Sequence, residues 1–282
     1  MIKKIVFSIL SVVFVGLSLS ESLDTKSSEQ LESALVRSLT TFAVARGLNG
    51  LVSVVQGTEV NVSPAGVGAT FAPGQLLDPV NDMVERFSWV MLMSSVSIGV
   101  QDVMLHLGKT TLFKVIFALM TLLFLLQLWL PRVQLPWRVE SSFKVVVVLA
   151  VLRFSVPMLV MMNEAVYAHV LEPKYEQSFN KVSKTSDEVK VMIEEVHSKQ
   201  EHMEEEYSFL DAFNVSQQYE QYKLELKKSV EQFIEKFNDA MDSIIRLITV
   251  FIINSIIIPL AALWLFIYGL GSFLRRDFVL EP

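Results

Sequence analysis

No cysteine occurs in the 282 residues. That excludes disulfides, zinc–thiolate sites, iron–sulfur clusters and cysteine nucleophiles, and any part of the chain outside the cytoplasm must hold together by packing alone. Basic clusters are also missing. The net charge is −6, and residues 172–243 alone carry 17 Asp/Glu against 9 Lys, a balance of −8. Binding to a phosphate backbone needs grouped Lys and Arg, so nucleic acid is excluded as a partner. Catalytic signatures are absent too. There is no Gly-x-Ser-x-Gly and no Ser/His/Asp arrangement for a hydrolase. The run Pro64-Ala65-Gly66-Val67-Gly68 lacks the Lys-Ser/Thr ending of a phosphate loop. Neither enzyme activity nor a cofactor is expected.

Apolar residues are abundant instead: 52% of the chain, with a mean hydropathy of +0.45. They come in blocks, the pattern of a multi-pass membrane protein. Lys3 and Lys4 precede an apolar run from Ile5 to Leu19, then Ser20-Glu21-Ser22. Residues 1–20 therefore read as a signal peptide, with an uncleaved signal anchor as the alternative. Residues 21–109 are expected outside the cytoplasm. They hold an amphipathic helix over 27–46, with Leu31, Leu35, Leu39, Phe42 and Ala43 as its apolar stripe, and a small β element over 51–72. A further helix is expected over 79–107, starting at Asp78-Pro79. Its apolar stripe is Trp89, Leu92, Met93, Val96, Val100, Val103, Met104 and Leu107, and Ser88, Ser94, Ser95 and Gln101 lie off it. Asp102 would be costly in lipid, so an interfacial helix is preferred there to a span.

Residues 110–162 read as two transmembrane helices joined by a short loop, 131–142. Residues 163–243 form a polar region, 244–274 a last span, and 275–282 a tail beginning Arg275-Arg276. The positive-inside rule puts Arg132, Arg138, Lys144, Arg275 and Arg276 in the cytoplasm. It then leaves 21–109 and 163–243 outside.

The polar region contains neither Pro nor Gly between Lys174 and Ile258. Val182, Ser186, Val189, Ile193, Val196, Gln200, Met203, Tyr207 and Leu210 recur at alternating steps of three and four, a heptad seam. A second seam runs Tyr219, Tyr222, Leu226, Val230, Phe233, Phe237, Met241 and Ile244. The two predict an antiparallel helical hairpin whose arms, at ~1.5 Å per residue, project ~50 Å. Its second arm is expected to continue unbroken into the membrane.

Few side chains invite chemistry. Arg153 lies within the apolar run Phe143–Met162, with Glu164 or Asp102 as its expected counter-ion, and Lys114 near the start of its own span can snorkel. Pro157 and Pro259 are candidate kinks. Glu194-x-x-His197 matches half of a di-iron element, but no second half accompanies it, so no metal is expected. The fold class is thus a mainly α-helical membrane protein, with three or four transmembrane helices, a long extracytoplasmic coiled-coil hairpin and a small β element. The function expected is a non-enzymatic component of a bacterial-type inner membrane. It would contact lipid and, through residues 174–243, a second copy or another envelope protein. The alternative is an oligomeric channel or transporter subunit with Arg153 in or near the path.

Overall fold

A computed structural model describes residues 2–57, 60–62, 69–71, 77–130, 138–207 and 215–275. Nearly all of them are helical. The helices are α1 (Ile2–Leu19), α2 (Glu21–Gly57), α3 (Asp78–Lys109), α4 (Thr111–Trp129), α5 (Val139–Val166), α6 (Glu172–Tyr207), α7 (Val215–Ile252) and α8 (Ile258–Leu274). Five helical stretches among the described residues are long and apolar enough to cross a membrane: Glu21–Gln56, Asp78–Lys109, Thr111–Trp129, Val139–Glu195 and Lys227–Leu274. A shorter apolar helix covers Lys4–Leu19. By length and composition, then, α2 and α3 qualify as spans alongside the three segments read from the sequence.

The β-like stretch begins as helix. Residues 51–57, expected to be strand, continue α2. Strands β1 (Val60–Val62) and β2 (Ala69–Phe71) pair antiparallel, with Asn61 opposite Thr70. Valine-rich sequence favours strands only when a pleated partner surface is available, and here the preceding helix captures it.

Two pairs of helices are continuous through π-helical turns. Tyr167–Leu171 joins α5 to α6, and Ile253–Ile257 joins α7 to α8. Each turn ends two residues before a proline, Pro173 and Pro259. Proline removes a donor and pushes its ring at the carbonyl four residues back, and widening the preceding turn relieves both effects. The second run is helical from Val215 to Leu274.

The chain divides into two compact units. The first comprises Met1–Val36, Ser94–His169 and Ile253–Pro282, and the second Arg37–Met93 and Val170–Ile252. In the first unit, Phe117, Phe124, Leu128, Phe143 and Val146 form one core, joined by Phe7 and Phe14 of α1. Leu31, Ile98, Leu105, Leu159, Val160 and Ala262 form another. Basic side chains cap helix C-termini, where carbonyls lack partners. Lys4 Nζ donates to Leu128 O at 3.5 Å, and Lys144 Nζ to Leu274 O at 2.7 Å. In the second unit, α6 and α7 pack on each other, burying Val182 and Val189 with Val230, Phe233 and Phe237. Lys236 of α7 pairs with Glu188 of α6.

The inward faces of α2 and α3 differ from those expected. On α2 the buried positions are Asp24, Ser27, Leu31, Ser38, Thr41, Ala45, Leu48 and Val52, again steps of three and four, while Leu39 of the expected stripe is exposed. On α3 the buried series is Val80, Val84, Phe87, Met91, Ser94, Ile98, Gln101 and Leu105. All eight residues of its expected apolar stripe, Trp89 to Leu107, are exposed. In water this would be inside out. In lipid the acyl chains are as apolar as leucine, so large apolar side chains can face outward and small or polar ones let helices approach.

Candidate functional site

The centre of the first unit's chemistry is Arg153, whose side chain is fully buried on α5. Its Nη2 donates to both carboxylate oxygens of Asp24, at 2.8 and 2.7 Å. Its Nε donates to Ser18 Oγ at 3.2 Å, and Nη2 also reaches Ser18 O at 3.3 Å. The guanidinium carbon lies 5.5 Å from the ring centroid of Phe154, within cation–π range. Lys114 Nζ stands 3.4 Å from Asp24 Oδ2.

Four elements supply this cluster. Ser18 ends α1, Asp24 lies in the first turns of α2, Lys114 closes the first turn of α4, and Arg153 sits midway along α5. The carboxylate is favoured near the α2 N-terminus by the helix dipole. Close by, Lys109 Nζ donates to Ser28 Oγ at 2.7 Å.

Arg153's counter-ion is therefore Asp24, and neither Glu164 nor Asp102 contacts it. Asp102 instead pairs with His106 one turn along α3, at 3.3 Å on an exposed face. Glu164 lies half-buried near the end of α5. Ser18 lies in the segment that reads as a signal peptide and Asp24 lies before the helix expected over 27–46, so neither stands out in the sequence as a partner for Arg153. One signal was available. Asp24 opens the series 24, 27, 31, 34, 38, which reads as a seam once small residues are counted as interface-forming.

Each of the two prolines leaves the carbonyl four residues back without its helical donor. Pro157 cannot donate to Arg153 O. Gly108 of α3 approaches that oxygen closely enough that an added Cβ would lie 3.8 Å from it. Pro259 cannot donate to Ser255 O, and Ser97 Oγ of α3 donates to it instead. On α4 and α5, Ser142 Oγ donates to Gln127 Oε1 at 2.6 Å. Beside this pair, Met120, Leu123, Ser141, Ser142 and Val145 line an open apolar pocket of about 260 Å³.

Several buried polar atoms of the first unit have no hydrogen-bond partner among the described residues: Ser27 Oγ, Gln30 Oε1, Ser94 Oγ, both amide atoms of Gln101, Arg153 Nη1, Asn163 Oδ1 and Asn254 Oδ1. An unsatisfied buried polar group is costly.

Of the expected hairpin seam, Val189, Val230, Phe233 and Phe237 are buried and Ile193 is half-buried. The buried partners on the same faces are Thr185 and Ala240, each one residue before the expected Ser186 and Met241. The side chains of Val196, His197, Met203, Tyr219 and Tyr222 lie outside the described residues. Glu188 is held below the usual carboxylate range by its hydrogen bond from Lys236, with Lys184 adding to the effect.

Compared with protein-family models, curated proteins and solved structures, the chain matches none of them.

Proposed function

We propose that this protein is a non-enzymatic, multi-pass component of a bacterial-type inner membrane that offers the α6–α7 pair to a partner. The carrying observation is how that pair is built. Its large apolar side chains, Val182, Val189, Val230, Phe233 and Phe237, are buried, and charged side chains such as Lys190, Glu194, Lys227 and Glu231 stand exposed on it. Continuity of α7 through the Ile253–Ile257 turn into α8 ties any event on the pair to the apolar segment. In this reading residues 174–243 form an extracytoplasmic coiled-coil hairpin, and the Lys4, Lys144 and Arg275 end of the first unit faces the cytoplasm. The capping of the α4 and α8 C-termini by Lys4 and Lys144 supports grouping those charges at one side of the bilayer.

Crosslinking the intact protein in its native membrane through residues placed along 174–243, followed by sizing of the adducts, tests this. A discrete homo-oligomer or one recurrent partner is the expected outcome. Only monomer would sink the proposal.

A second reading, a channel or transporter subunit, draws on the unpartnered polar atoms of Ser27, Gln30, Ser94, Gln101, Asn163 and Asn254. In it these side chains line a hydrated path. Arg153 is a poor member of such a path, because its own carboxylate occupies it.

A further inference from the structure

The Arg153 cluster carries one positive charge too many. Arg153 and Lys114 both reach Asp24, at 2.7 and 3.4 Å, so two cations share one carboxylate. Side-chain exposures are 0% for Arg153, 3% for Asp24 and 17% for Lys114, so little water reaches the excess charge. An uncompensated buried ion is strongly disfavoured, which calls for a second anion.

The unused donors point to where it would sit. Arg153 spends Nη2 on Asp24 and Nε on Ser18, but Nη1 is buried without a partner among the described residues. Gly108 of α3 packs against this part of Arg153, and an added Cβ there would lie 3.8 Å from Nη1. Lys114 adds an ammonium with donors to spare. It belongs to the first turn of α4, where Thr110 Oγ1 already accepts from the Phe113 N–H and the helix dipole favours an anion.

We infer that Arg153 Nη1, Lys114 and the α4 N-terminus bind a phosphate-type oxyanion as the second counter-ion to this cluster. The donors come from a planar guanidinium edge, an ammonium and a helix end on two different helices. An anion with several divergent acceptor oxygens satisfies them better than a halide does. The site also lies at the right depth for a lipid headgroup. α1 ends beside it at Leu19 and α4 begins beside it at Thr111, with 18 and 19 residues respectively. That is about the length needed to cross the hydrocarbon core. The phosphate could equally come from solution. This inference stands independently of whether the α6–α7 pair has a partner.

The test uses the full chain, delipidated in a neutral detergent and kept phosphate-free. Its thermal midpoint is followed while inorganic phosphate, phosphatidylglycerol in mixed micelles, or sodium chloride at matched ionic strength is added. A saturable rise with phosphate or with the lipid, beyond any chloride response, is expected, since a ligand bound only to the folded state stabilises it. A response to lipid alone assigns the headgroup as the source, and a response to phosphate assigns the free ion. Lys114→Met should abolish the rise. Gly108→Ala puts a methyl against Nη1 in a position that favours helix. It should keep the ligand-free midpoint and weaken apparent affinity by about tenfold, the value of one charge-assisted hydrogen bond. No rise with either probe, an equal rise with chloride, or a wild-type response in Lys114→Met overturns the inference. Unchanged affinity in Gly108→Ala removes Nη1 from the site and overturns its geometry.

Discussion

At the residue scale, the Arg153–Asp24 pair is held by geometry, so it should behave as a unit. Taking two ions out of water costs nearly as much as their attraction returns, but removing one partner strands the other. Asp24→Leu should cost ~3–5 kcal/mol because it strands Arg153, whereas Arg153→Leu should cost less, because Lys114 still answers Asp24 at 3.4 Å. The double replacement should recover part of the Asp24→Leu loss, because only the partly exposed Lys114 is then left without its counter-ion. Midpoints of detergent-solubilised variants measure this directly, and simple additivity of the two losses would contradict the pairing. Glu188 makes a milder, pH-dependent case. Its carboxyl is lowered in the folded protein by the Lys236 hydrogen bond. Its stabilising contribution is therefore complete above the unfolded carboxylate value and is lost as pH falls through the lowered one. The midpoint of the wild type should thus fall more steeply than that of Lys236→Met as pH is taken down through the carboxylate range. Parallel curves would remove the pair from the account. Arg153 was legible in the sequence as a charge needing a partner. Its partner was not, because sequence distance says nothing about which helix end is brought alongside.

At the element scale, the informative contrast is between α7 and α3. The seam Val230, Phe233, Phe237, Ile244 was legible because α7 packs its large apolar residues inward, as a helix does in water. Phe237 is completely buried on that seam. Phe237→Ala should cost ~3–5 kcal/mol, read from the unfolding midpoint, whereas Leu224→Ala on an exposed position should cost little. The α3 stripe was equally legible as a periodicity but pointed the wrong way, since Trp89 and Val96 face outward and Ser94 and Gln101 inward. Periodicity reports that a helix has two faces. Which face is covered depends on the solvent, and the α3 pattern is the one that a lipid surround favours. The short α1 makes the same point through packing. Phe7 lies edge-on to Phe143 at 4.8 Å, Phe14 packs against Phe154 at 5.5 Å, and Trp129 Nε1 donates to Ser8 Oγ at 2.9 Å. Removing the segment would expose those faces and take Ser18 from Arg153. Its retention in the functional protein is therefore expected. Intact mass measured on membrane-derived protein checks it, and a mature chain beginning near Glu21 would refute it.

At the scale of the whole molecule, the missing cysteine becomes an experimental asset, because single cysteines can be introduced without a background thiol. The proposed membrane placement has the exposed Trp89, Val96 and Val103 of α3 meet lipid and the exposed polar side chains of α6, such as Lys190, meet water. A membrane-impermeant maleimide added to intact cells or right-side-out vesicles should therefore leave Val96→Cys unlabelled. It should label Lys190→Cys, if residues 163–243 are extracytoplasmic as proposed. Arg275→Cys should react only after the membrane is opened. The three outcomes separate ideas that a single topology score would merge. Labelling at Val96 would mean that the apolar stripe is covered by protein or faces water, and would weaken the lipid reading of α3. Protection of Lys190 with reaction at Arg275 would invert the assigned orientation while leaving every contact within each unit untouched. Protection at Lys190 in both preparations, alongside crosslinking through the same residues, would mean that the α6–α7 surface is already occupied.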